Sequence, residues 1–183
     1  MSGVPVRVVL VPGVLALLPS YGGLEDPVAE LRSACLDAVV WLGAGPRVVA
    51  SPQGERVAAY LCGEVVSRLA PLAPQPPQAL VAPRPPGRGV LVVANGSATR
   101  TEKAPGHLDD RAVGFDDELR AALTAGRPGA VDADLARELW ADVDGLVRLA
   151  QEVDVDPASV RVDYDADPFG VQYWVMRMEG VRR

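Results

Sequence analysis

Gly89–Ala94, GVLVVA, runs directly into Asn95–Phe115, NGSATRTEKAPGHLDDRAVGF. The first segment is an unbroken apolar run, which suits a strand buried on both faces of a parallel sheet. The second is polar, opens on an Asn-Gly turn and leads into an amphipathic pattern. A buried strand emptying into such a loop is where α/β proteins place their sites. The loop carries the hydroxyls of Ser97 and Thr99, the cations Arg100 and Lys103, the carboxylate of Glu102 and the sole histidine of the chain, His107.

Working outward, the same logic recurs. Val4–Val11 is β-branched and ends at Pro12-Gly13, as a buried first strand would. Between Leu24 and Leu42 the apolar positions Val28, Leu31, Cys35, Val39 and Leu42 fall three or four apart, which predicts a helix. Arg47–Ala50 reads as a short strand, and Ser51-Pro52-Gln53-Gly54 turns the chain into a second helix over Glu55–Leu69. Downstream, Asp109–Leu123 is helical with Phe115, Leu119, Ala122 and Leu123 inward, and Gly126-Arg127-Pro128-Gly129 stops it. Asp132–Glu152 reads as one bent or two short helices, with Leu135, Leu139, Val143, Leu146 and Leu149 inward. Val160–Tyr164 and Val171–Met178 close the chain as two strands, either an antiparallel hairpin or two neighbouring strands on the sheet. The β-α-β-α order predicts an α/β fold with a mostly parallel or mixed central sheet.

Pro71–Pro86 holds seven prolines, which neither donate to a ladder nor continue a helix. We read about 71–87 as a stiff connector inside a single domain spanning 1–183, with a short edge strand at Ala79–Ala82. At 183 residues one domain buries enough surface to need neither metal nor disulfide. Val8–Leu18 is broken by Pro12-Gly13 and is too short to span a bilayer, so it reads as strand and loop. With 24 acidic against 18 basic residues and pI near 4.8, the chain lacks the basic balance of a nucleic-acid binder. Cys35 and Cys62 sit in helical apolar patterns away from any metal or redox spacing, which points to reduced core thiols and a cytoplasmic setting.

The chemistry on offer is narrow. One histidine and two core cysteines cannot build an imidazole- or thiolate-rich metal site, so no metal and no cofactor is expected. Asp163, Asp165 and Asp167 alternate, yet no calcium-loop glycine or twelfth-position glutamate accompanies them, and a capped turn is the expectation. Ser97 and His107 are close enough in sequence to make a weak nucleophile and base pair, without a nucleophile elbow around the serine; Asp109 could simply cap the helix that follows. Arg100 and Lys103, beside the amides of Asn95–Ala98, could hold a carboxylate or phosphate. Glu102 could equally neutralise both cations in an internal network.

VLVVANGSATRTEKAPGHLDDRAVGFDDELRAALTAG together with VDYDADPFGVQYWV resembles the actinobacterial branch of the class III extradiol dioxygenase B-subunit-like proteins, distantly related to Memo-like proteins. The matching positions are Gly96, Ser97, Arg100, Lys103 to Asp109, Phe115-Asp116, Tyr164-Asp165 and Pro168 to Tyr173, within residues 88 to 178. The resemblance implies a three-layer, LigB-like α/β fold with helices on both faces of the sheet. It also implies a strand-end pocket where relatives hold non-haem iron on two histidines and a glutamate, beside a further acid/base histidine. Here those histidines would fall near Gly13, Gln53 and Arg100, and none is present.

The resulting expectation is a catalytically degenerate relative that does not cleave aromatic rings. Its pocket, drawn from Asn95, Ser97, Arg100, Lys103, Gln53 and Tyr173, would bind a small anionic metabolite or a protein partner. The alternatives are a metal-independent enzyme using Ser97 and His107, a structural or assembly protein forming a homodimer, and last an active iron dioxygenase.

Overall fold

Valine-rich segments with side chains alternating across the backbone can bury both faces of a strand, and the centre of this molecule is built from them. The computed structural model describes residues 3–21, 26–69 and 89–183. β1 (Val4–Val11), β2 (Arg47–Val49), β3 (Gly89–Val93), β4 (Val153–Val155), β5 (Arg161–Ala166) and β6 (Tyr173–Arg182) form one six-stranded mixed sheet. Its order is β2-β3-β1-β6, and β4 and β5 follow one another along the outer edge of β6. β1, β2 and β3 are mutually parallel, with Val8 opposite Val90 and Val48 opposite Leu91. β6 runs antiparallel to β1, β4 and β5.

Among the described residues five α-helices cover the sheet: α1 (Ala29–Leu42), α2 (Pro52–Leu69), α3 (Arg111–Thr124), α4 (Ala133–Glu138) and α5 (Asp144–Glu152). Val9, Val11, Leu91 and Val93 point to the face packed by Leu31 and Cys35 of α1 and by Val57 and Leu61 of α2. Val8, Leu10, Val90 and Val92 point to the other face, against Phe115 and Leu119 of α3, Ala136 of α4 and Leu146 of α5. The result is three layers with a core on each side of the sheet. No described helix is long and apolar enough to cross a membrane.

The expected elements differ from the observed ones at particular places. α1 begins at Ala29, after Pro27, and the first part of the stretch expected to be helical lies outside the described residues. So do the connector near 71–87 and its edge strand at Ala79–Ala82. α2 starts earlier than expected, at Pro52, because Ser51 caps it: the Ser51 carbonyl accepts from Glu55 N, and its hydroxyl accepts from Gly54 N at 3.3 Å. Over Asp132–Glu152, where one bent or two short helices were expected, two short helices form, α4 and α5. β4 is an additional strand, hidden in the sequence because Val153-Asp154-Val155 prolongs the apolar pattern of α5.

Connectivity sets where a ligand can lie. The chain leaving β1 passes to α1 on one face, whereas the chain leaving the adjacent β3 passes to α3 on the other. Neighbouring parallel strands whose connections diverge leave a crevice beyond their carboxyl ends.

Candidate functional site

The loop after β3 is held on both sides. Asn95 N donates to the Asp142 carbonyl (3.0 Å) and Ala98 N to the Leu139 carbonyl (2.8 Å), which ties the loop to the segment between α4 and α5. Gly96 N donates to Gln172 O (2.9 Å), and Gln172 N returns a bond to Ser97 O (2.9 Å), which ties it to the start of β6. Ser97 N donates to Asp116 Oδ1 at 2.8 Å. All four amides from Asn95 to Ala98 are therefore engaged by the protein itself. Close approach is required here: a Cβ on Gly96 would collide with the Asp116 carboxylate and come within 2.8 Å of Gln172 Cβ.

Asp116, 1% exposed, lies under this loop. Its Oδ2 accepts from the Ser97 hydroxyl at 2.6 Å and from Arg100 Nη1 at 3.0 Å, while Arg100 Nε donates to Asp167 Oδ2 at 2.8 Å. Burial pushes the Asp116 carboxyl up, and the hydroxyl, amide and guanidinium pull it back. The partners of Arg100 are thus Asp116 and Asp167, not Glu102, which is exposed as are Lys103 and His107. Ser97 is fully buried and no hydrogen bond joins it to His107. The alternating aspartates are likewise taken by side chains: Asp163 by Arg177 (2.7 Å), Asp165 by Arg120 (2.5 Å) and Gln172 (2.9 Å), Asp167 by Arg100. Asp109 accepts from Arg111 N at 2.9 Å, next to the first turn of α3.

The crevice at the strand ends is a cavity of about 580 Å³. Gly13, Val14, Leu15 and Ala16 after β1, Ser51 and Gln53 after β2, Asn95 and Ala98 after β3, and Val171 and Tyr173 at the start of β6 line it, with Pro105, Trp140, Asp142 and Phe169. Of the six residues expected to bind ligand, the fold brings Asn95, Gln53 and Tyr173 to this wall. Ser97, Arg100 and Lys103 are not part of it. Gln53 Nε2 donates to the Gly13 carbonyl at 2.9 Å, so the two positions where the resemblance puts histidine ligands are side by side.

Three wall residues were missed by sequence reasoning, and together they carry the local chemistry. The Ser51 hydroxyl that caps α2 donates to Asp142 Oδ2 at 2.8 Å. Asp142 has no ion pair with any described cation. Burial raises its carboxyl above the ordinary aspartate range and the charge of Asp144 adds to the shift, while the Ser51 hydroxyl, the Asp144 amide and the charge of Arg148 oppose it. Trp140, 61% exposed, has φ of 58°, in the left-handed region. It is the residue just past α4 in a Schellman cap: Trp140 N donates to Arg137 O and Ala141 N to Ala136 O (2.8 Å). A bulky residue in this position is an outlier. The sequence signal was a tryptophan with Glu138 and Asp142 two residues to either side and no glycine to end the helix.

The donor set does not fit iron(II). Among the described residues, the cavity wall offers one carboxylate and neither imidazole nor thiolate, and no three His, Cys, Asp or Glu side chains are grouped to share an ion. A second cavity, about 590 Å³, lies between the end of α1, β2 and α2, and among the described residues its wall is apolar apart from Glu55, without convergent polar groups. Neither a protein-family model nor a curated protein sequence matches this chain.

Proposed function

We propose that this protein binds a small molecule in the strand-end cavity and does not cleave aromatic rings. The observation that carries the reading is the cavity itself: it opens beyond the carboxyl ends of three parallel strands, at the point where their connections diverge, and polar groups from three separate loops converge on it. The Gly13–Gln53 contact supports a relationship to the extradiol dioxygenase-like proteins in which the ligand positions have lost their imidazoles. An anionic ligand is disfavoured in this proposal. The loop amides are consumed and Arg100 is neutralised by two aspartates. The metal-independent enzyme reading has no support from Ser97 and His107, which sit apart. An assembly role in which the loop only braces the sheet predicts a filled cavity, and this one is open.

The test is purification with added iron(II) under anaerobic conditions, followed by metal analysis and oxygen uptake with catechols. The proposal expects iron far below one per chain and no catechol-dependent uptake. One iron per chain together with uptake would restore the dioxygenase reading.

A further inference from the structure

We infer that the ligand of this cavity is a small organic cation, an alkylammonium or quaternary ammonium compound; the inference rests on the proposed binding role of the cavity. Among the described residues, Asp142 is the only carboxylate or cation on the wall. It is half-buried, its side-chain hydrogen-bond partner is the neutral Ser51 hydroxyl, and among the described residues Arg148 acts on it through its charge without forming an ion pair. A carboxylate in that setting is left to be neutralised by what enters the cavity. The rest of the wall suits the same guest. Trp140, Phe169 and Tyr173 line the same cavity, and ammonium groups are drawn to aromatic faces by the ring quadrupole, most strongly where water is excluded.

The position of Trp140 gives an independent reason. α3 ends in the same Schellman cap as α4, and there the left-handed residue is Gly126. At the end of α4 that role falls to a tryptophan two residues before Asp142, mostly exposed and lining the cavity. Backbone strain of this kind persists where the surrounding structure enforces it, and it concentrates at ligand clamps. Here it sets an indole and a carboxylate, from one short segment, on the same cavity wall. The Asn95–Asp142 and Ala98–Leu139 bonds hold that segment against the strand ends.

The test uses three probes of one shape and different charge: choline, 3,3-dimethylbutan-1-ol and 3,3-dimethylbutanoate. Each is titrated into the full chain at neutral pH and low salt, with binding followed by amide chemical shifts. The expected result is that choline shifts amides at 13–16, 51–53 and 140–142 with at least roughly tenfold tighter affinity than the alcohol, and that the carboxylate binds weakest. Asp142→Asn keeps the Ser51 hydrogen bond and should erase the preference for choline over the alcohol. Trp140→Gly should weaken choline by about tenfold. Equal or tighter binding of the alcohol or the carboxylate at the same amides overturns the cation inference while leaving the cavity as a binding site. Shifts confined to other surfaces overturn both, and absence of choline binding overturns the inference.

Discussion

Trp140 occupies at the end of α4 the left-handed capping position that Gly126 occupies at the end of α3, with φ of 58° and 69° respectively. In both caps the residue after it bonds back to a carbonyl five positions earlier, Ala141 to Ala136 and Arg127 to Ala122. The same backbone device is therefore built once with the residue that tolerates it and once with one that does not. Because Trp140 is mostly exposed, core packing does not account for the choice.

Trp140→Gly is accordingly expected to be more stable than Trp140→Ala by about 1 kcal/mol, the scale of the left-handed penalty for a residue with a Cβ. Urea denaturation of the two variants checks this. Both lose the indole equally, so the difference isolates the backbone term. Equal stabilities would mean that the position is not left-handed in solution.

Asp142→Asn should stabilise the protein at neutral pH by about 1 kcal/mol, since it removes a partly buried charge that burial disfavours and retains an acceptor for Ser51. The folded-state carboxyl is raised above its unfolded value, so folding takes up protons at this site. Its stabilising contribution is complete below the unfolded pKa and is lost as pH rises through the folded one. The gap between variant and wild type should therefore be widest at neutral pH and close on acidification through the raised pKa. Melting curves across that range measure it; a constant gap would contradict the assignment.

Arg100→Ala should cost about 3 kcal/mol, because Asp116 would be left buried without its cation. The double variant Arg100→Ala with Asp116→Asn should recover a large part of that loss. Chemical denaturation of the cycle tests the pair. Arg100→Ala with unaltered stability would show that the guanidinium is free to serve a ligand after all.

Gly96→Ala should destabilise by about 2 kcal/mol or more, since the added carbon would press on Asp116 and Gln172 from a loop bonded on both sides. Hydrogen exchange should then show the amides of Gly96 and Gln172 losing protection first. Exchange of those two amides only through global unfolding, no sooner than the core strands, would contradict the strapped-loop description.

Much of the frame was legible from the chain. β1, β3 and the helices that cover them announce themselves by apolar period, and the strand-end location of the site follows from GVLVVA emptying into NGSATR. The use of that loop was not legible. Its hydroxyl, amides and arginine look outward-facing in sequence, but their partners Asp116, Leu139, Asp142, Asp167 and Gln172 lie 16 to 76 residues away and are brought in only by the fold. Asp142 escaped notice for a related reason. The helix break beside it is made by Trp140, so no glycine, proline or asparagine marked the turn that carries it onto the cavity wall.

The most direct test of the account is to map where a small molecule binds. Amide spectra of the labelled protein, recorded against a mixed-charge fragment library, report this residue by residue. The account predicts that the tightest hits perturb 13–16, 51–53, 95–98, 140–142 and 169–173, and that Asp142→Asn or Trp140→Gly weakens them. Hits that cluster instead around the apolar cavity of α1, β2 and α2, with the strand-end amides unmoved, would contradict it.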